Sequence, residues 1–145
     1  MANKTITSVN AIFAISIEGV YDSPIQLQGF AADGIFDTDP LVPAEIVMGL
    51  DGHLSGGYTY HPVKQKIHLQ ADSPSVQVFE DWYNASVAAQ DVFKAQATIT
   101  LPGTGKSYVM KNGILTSAKM IPDAKKTLSA HEFEITWESA LPAPA

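Results

Sequence analysis

Four stretches of this chain alternate apolar and polar residues with a period of two, and only one stretch carries its apolar residues at helical spacing. That imbalance limits the fold more than any motif does. In Asn10–Ile17, residues Ala11, Phe13, Ile15 and Ile17 share one face. In Pro62–Gln70, Val63, Gln65, Ile67 and Leu69 stand against Lys64, Lys66, His68 and Gln70. In Phe93–Leu101, Phe93, Ala95, Ala97, Ile99 and Leu101 stand against Lys94, Gln96, Thr98 and Thr100. In His131–Glu138, His131, Phe133, Ile135 and Trp137 share a face opposite Glu132, Glu134, Thr136 and Glu138. A half-buried antiparallel strand has this pattern, because successive side chains point to opposite faces.

The single helix is expected over about 73–90. Ser73 suits the N-cap and Pro74 the first helical position. Val76, Phe79, Trp82, Tyr83 and Val87 follow at spacings of three and four, and Glu80 and Asp81 lie off that stripe. The segment YDSP, Tyr21–Pro24, reads as a turn leading to a second strand through Ile25 and Leu27. Ser107–Leu115 reads as a strand broken at Asn112-Gly113. The end, LPAPA, reads as an extended, flexible tail over 140–145. The sum is a mainly β chain of one domain, 1–145. The fold class is an antiparallel β-sandwich or barrel with one flanking α-helix and a long early loop, about 31–61.

That loop, Ala31–His61, is dense in turn signals: Asp33-Gly34, Asp39-Pro40, Asp51-Gly52 and Gly56-Gly57. Its one apolar run lies within Ala44–Leu50 and fits no face of the domain's own alternation. EIVMGL reads as a strand that pairs outside the main sheet. A loop of this length in a compact domain usually has a function.

The run PGTGKS, Pro102–Ser107, resembles a nucleotide-binding loop and fails as one. The pattern G-x-x-x-x-G-K-[ST] needs glycine at position 100, which is Thr100, and a helix after the lysine. SYVMKNGIL is strand-like, so no helix N-terminus is there to gather amide donors around a phosphate. PGTG is better read as a hairpin loop. Asp37–Asp39 with Asp33 hints at calcium, but Pro40 and Leu41 occupy the next ligand places, and an acidic surface turn explains it better. His53, His61, His68 and His131 have no metal-ligand spacing and read as surface or interface residues. No serine lies in a nucleophile elbow, and there is no cysteine. These observations predict no catalytic residue, no metal site, no cofactor and no enzyme.

The charges add a constraint. All nine basic residues are lysine. From Thr5 to His61 there are seven acids and no lysine, so the net charge of −6 sits in the first sixty residues. Such a surface repels nucleic acid. The apolar runs are too short to cross a membrane.

The ordered segments PAEIVMGLDGHLSGGYTYHPVKQKIHLQADSPSVQVFEDWY, ATITLPGTGKSYVMKNGILTS, PDAKK and EFEITWES resemble a family of bacteriophage tail tube proteins, over roughly Ile6–Glu138. The resemblance implies a structural virion protein without enzymatic activity, in the tail, assembled in the host cytoplasm. It implies hexameric rings stacked into a hollow tube through whose lumen DNA is ejected without specific binding. The implied partners are further copies of the chain, tail sheath or other tail proteins, the tail tip or baseplate, and a terminator. On this reading the loop is the inter-subunit stacking arm, with Asp33, Asp37, Asp39, Glu45, Ile46, Val47, Met48 and Leu50 as its residues. Glu132, Glu134 and Glu138 are candidates to face the lumen. The alternative is a β-sandwich module of a phage particle that binds carbohydrate or a receptor. That module needs an exposed aromatic platform, for which Tyr58 and Tyr60 are the available pair.

Overall fold

The computed structural model describes residues 11–30 and 36–144. Ten strands and one helix follow in chain order: β1 (Ile12–Ile17), β2 (Tyr21–Gln26), β3 (Phe36–Thr38), β4 (Ala44–Met48), β5 (Leu54–Tyr58), β6 (Val63–Leu69), α1 (Val76–Ala89), β7 (Ala95–Leu101), β8 (Lys106–Ala118), β9 (His131–Trp137) and β10 (Ser139–Pro144). Eight strands form one antiparallel sheet in the order β2-β1-β7-β8-β9-β6-β3, with β10 on β8; among the described residues β4 and β5 pair only with each other. The mainly β fold with a single helix is the one expected from the alternation.

The long sheet folds over on itself at one corner. The first half of β8 pairs with β7 and with β10, and its second half pairs with β9. The bend falls at Asn112, whose φ is +52°, and Gly113. Asn112-Gly113 is therefore a bulge inside a continuous thirteen-residue strand, where the sequence suggested a break. Asn tolerates the left-handed conformation, so the dipeptide serves a bulge as readily as a turn. Gly113 is required here: a Cβ at this position would lie 2.4 Å from the Trp137 ring and 2.9 Å from Ile135. Trp137 packs over the bend, and its Nε1–H donates to Gln65 Oε1 at 3.0 Å. Gln65 in turn donates to Thr38 Oγ1 at 3.2 Å, which ties β9, β6 and β3 together beneath the surface.

The core fills the space between the folded halves. Phe13, Ile15 and Ile17 of β1 meet Ile67 and Leu69 of β6, Ile99 of β7, and Phe133, Ile135 and Trp137 of β9. The helix closes one side. Phe79 stacks on Phe133 at 4.2 Å between ring centroids, and Trp82 is fully buried with Nε1–H donating to the Phe93 carbonyl at 2.9 Å. Only the first two turns abut the core: Val76, Val78, Phe79 and Trp82 are buried, whereas Tyr83 and Val87 of the expected stripe are exposed.

Several local expectations are corrected. YDSP is the first part of β2, and the turn lies earlier, where Gly19 has φ +84° and the Val20 N–H bonds the Ile17 carbonyl. Pro24 is tolerated because β2 is an edge strand. The helix starts at Val76 with Ser75 as N-cap, and Ser73 is used elsewhere. Ser73 Oγ–H donates to the Gln28 carbonyl, while Ser75 Oγ accepts the Gln28 N–H at 2.7 Å. The two serines thus clamp the exit of β2. The C-terminal segment read as flexible is instead strand β10, registered from Ser139↔Lys111 to Pro144↔Lys106. Pro142 cannot donate, so its backbone nitrogen faces away from β8 and the alternate residues carry the pairing. His131, expected near the surface, is buried and bonds the Lys119 carbonyl at 3.1 Å. PGTG is the hairpin loop expected, with Leu101 opposite Lys106 and the Gly105 N–H on the Leu101 carbonyl at 3.0 Å.

Tyr21 on β2 donates its hydroxyl hydrogen to Asp81 on α1, and that bond, burial and the nearby carboxylate charge push its phenol above the ordinary value. A raised folded value means the stabilisation is fully present below pH 10 and is lost as pH rises through the shifted value. Tyrosinate absorbance against pH checks this: Tyr21→Phe is expected to remove a component that titrates above pH 10.

Candidate assembly surface

The long early segment resolves into two parts. β3 belongs to the body, paired with β6 from Phe36↔Ile67 to Thr38↔Gln65. β4 and β5 form a separate two-stranded hairpin, paired from Ala44↔Tyr58 to Met48↔Leu54, in which every residue is exposed. EIVM does pair outside the main sheet, as its misfit with the domain's alternation suggested.

Residues directly opposite each other in an antiparallel pair share a face. Ala44, Ile46, Met48, Leu54, Gly56 and Tyr58 therefore lie on one side of the hairpin, and Glu45, Val47, Ser55 and Gly57 on the other. The first side is wholly apolar apart from the tyrosine hydroxyl. Ile46 is 67% exposed, Met48 63% and Leu54 59%. Leu50 stands at the tip, where the Gly49 N–H bonds the His53 carbonyl at 2.8 Å and Asp51 accepts the His53 N–H at 3.1 Å. A two-stranded ribbon is marginal alone, and exposed apolar faces of this kind mark contact surfaces.

The root of the hairpin is braced. The Thr59 N–H bonds the Pro43 carbonyl at 3.0 Å, and the Val42 N–H donates to His61 Nε2 at 3.1 Å. Beside the root lies a groove of about 830 Å³ between Pro43, Tyr58, Tyr60 and His61 on one bank and Ala140 and Leu141 of β10 on the other. His61 Nδ1 is buried and has no hydrogen-bond partner among the described residues.

The residues expected in the arm divide accordingly. Glu45, Ile46, Val47, Met48 and Leu50 lie on the hairpin, with Val47 on the face opposite Ile46 and Met48. Asp37 lies on β3, 3.3 Å from His68 Nε2, and the Asp39 N–H bonds the Lys64 carbonyl, so both belong to the body. Asp33 lies outside the described residues. Sequence reasoning misses the second strand of the hairpin, because the glycines of LSGGY hide its pattern; the Asp51-Gly52 turn is its available signal.

Glu132 and Glu134 share the outward face of β9, and Glu138 follows in the link between β9 and β10. Glu132 lies 3.7 Å from Lys66, Glu134 is opposite Lys66 in the ladder and accepts from Thr116, and Glu138 accepts from the Asn112 amide. Lys66 accompanies the first two and Lys64 stands opposite Thr136, so that face carries both signs. The outward face of β1 and β7 is uncharged, with Ile12, Ala14 and Ser16 beside Gln96, Thr98 and Thr100. Tyr58 and Tyr60, both exposed, meet edge to face at 86° and 5.1 Å, so they form no flat platform. Among the described residues, no group of three or more His, Asp or Glu could hold a metal, and no helix is long and apolar enough to cross a membrane.

The folded-over antiparallel sheet with one flanking helix is shared with chains of contractile injection assemblies. A chain of the extended sheath–tube complex of the PVC extracellular contractile injection system matches with TM-score 0.59 and 17% identity, covering 92% of this chain and 88% of that one. A chain of the anti-feeding prophage cap, the tube-terminating cap, matches with TM-score 0.63 and 14% identity, covering 100% and 95%. A chain of the six-fold symmetrised anti-feeding prophage baseplate matches with TM-score 0.58 and 8% identity, covering 99% and 98%. No curated protein sequence matches. The resemblance to the tail tube family thus holds at the level of the fold.

Residues 4–141 match the family described as tail fiber protein gp32, and the chain belongs to that family. It is a tail structural protein.

Proposed function

We propose that this chain is a tube-forming subunit that associates into hexameric rings, stacked into a hollow tail tube through which DNA is ejected. The observation that carries the reading is the β4–β5 hairpin. Its apolar face has no cover among the described residues of its own chain, and a second subunit supplies one. A heterologous contact between copies closes into a ring or propagates as a filament, and a tube requires both. The role is mechanical and needs no cofactor or catalytic residue. Its partners are further copies, the sheath or other tail proteins, a baseplate and a terminator, which fits a fold shared with chains of sheath–tube, cap and baseplate assemblies. Its place is the virion tail, assembled in the host cytoplasm.

The lumen wall has to hold phosphate weakly, because each lysine contact adds affinity. Two faces meet that need. The face with Glu132 and Glu134 carries Lys64 and Lys66 beside its carboxylates, and Glu138 lies past its end. The β1–β7 face presents no charge at all and is the better wall.

The family description favours a second reading, a fibre module that binds carbohydrate or a receptor. The crossed tyrosine rings give it little support, since sugar stacking uses an open ring face. The particle formed by the purified protein separates the readings: rings or tubes support the first, and discrete monomers at every concentration support the second.

A further inference from the structure

The apolar side of the hairpin holds the one methionine among the described residues that is exposed. We infer that Met48 is an oxidation site that locks the arm: in the free subunit a peroxide converts its thioether to the sulfoxide, and the sulfoxide keeps the hairpin from docking on a neighbouring copy. This rests on the tube-subunit reading and names a modification that regulates its contact surface.

Met48 is 63% exposed, whereas Met110 is 2% exposed and Met120 is half-buried against the core. The chain has no cysteine, and Trp82 and Trp137 are fully buried. A dissolved peroxide therefore meets the Met48 thioether first, because oxidation follows exposure. The sulfur bonds one oxygen of hydrogen peroxide as the O–O bond breaks. The other oxygen leaves as hydroxide and collects the proton of the transferred one, giving sulfoxide and water. The thioether is oxidised by two electrons and the peroxide is reduced. The effect on the arm follows from the neighbours of Met48. It stands directly opposite Leu54 and two residues from Ile46 on the same side, and among the described residues the hairpin pairs with no other strand. The only polar side chain on that side is Tyr58, at the far end of the ribbon from Met48. A sulfoxide buried in such a contact is left without a hydrogen bond, a cost the thioether does not carry. The flexible thioether, by contrast, packs readily on an uneven apolar surface. Met48 lies outside the core cluster, so its oxidation leaves the body intact.

Unassembled full-length chain is treated with hydrogen peroxide and mapped by peptide mass spectrometry. Sulfoxide is expected to form at Met48 at least about tenfold faster than at Met110, and faster than at Met120. In assembled particles the rate at Met48 is expected to fall at least about tenfold, since a docked arm is covered. Particles in which Met48 oxidises as fast as in the free chain overturn the inference and leave the tube reading standing. Oxidised free chain is expected to need at least about tenfold more protein to assemble, at an unchanged thermal midpoint. In Met48→Leu the same treatment is expected to change that concentration less than about twofold relative to untreated Met48→Leu, since leucine has no sulfur to oxidise. Oxidised chain that assembles as readily as untreated chain, or Met48→Leu chain that peroxide inhibits as strongly, overturns the inference. If Met48→Leu does not assemble even untreated, reduction of the oxidised unsubstituted chain by the two methionine sulfoxide reductases gives the readout. Assembly that returns in step with the Met48 thioether supports the lock, and assembly that stays lost overturns it. Untreated, unsubstituted protein that forms no particle contradicts the tube reading itself.

Discussion

Replacing Ala44–Tyr58 with an Asn-Gly turn will leave a folded body that no longer assembles. The flanking residues already meet: the Thr59 N–H lies 3.0 Å from the Pro43 carbonyl, so a two-residue turn closes the gap without moving the body. Every strand residue removed is exposed, so the core loses nothing. The expected change in unfolding free energy is within about 1 kcal/mol, typical of surface changes. The effect on assembly is far larger. Burying an aliphatic side chain contributes on the order of 1.5–3 kcal/mol, and Ile46, Met48, Leu50 and Leu54 lose that together. Part of this offsets the entropy of association, and what remains is still enough to abolish association. Sedimentation and thermal unfolding check both halves. An unfolded product would mean the hairpin is part of the body, and normal assembly would mean the interface lies elsewhere.

The second large effect concerns the corner of the sheet. Trp137→Ala will lower the thermal midpoint by roughly 10–25 °C. Removing a fully buried tryptophan costs about 3–5 kcal/mol, and its partner Gln65, also fully buried, loses a hydrogen bond worth about 1–3 kcal/mol more. In a domain of this size each kcal/mol shifts the midpoint by roughly 2–4 °C. Trp137 also covers the bend at Gly113, where β8 passes from one half of the sheet to the other. Its loss therefore loosens the joint as well as the core. A fall below about 5 °C would show that the corner is held elsewhere.

Much of this architecture is legible in the sequence because alternation and burial are the same fact seen twice. Val63, Ile67 and Leu69 are buried as their spacing implies, and so are Phe133, Ile135 and Trp137. The misreadings have local causes. Asn-Gly favours positive φ in a turn and in a bulge alike, and only Trp137, distant in sequence but packed on Gly113, decides between them. Pro24 and Pro142 suggest turn or tail, yet an edge strand accepts proline wherever its missing N–H points outward. The helical stripe extends to Val87, but the helix touches the core over its first two turns only, so its far end is exposed.

The hairpin proposed as the assembly surface is half legible. Ile46, Val47, Met48 and Leu50 betray themselves by fitting no face of the domain. Proximity in sequence groups Asp37 and Asp39 with them, and β3 pairing with β6 separates them. The groove has no sequence signature. His61 and Tyr60 come from the first half of the chain, Ala140 and Leu141 from its end, and no spacing rule connects them.

The most direct test of the central claim is electron microscopy of the purified, concentrated full chain, with class averages viewed down the particle axis. Six-fold rings with an open centre, stacking into tubes, are the predicted result. Discrete monomers at every concentration would contradict it.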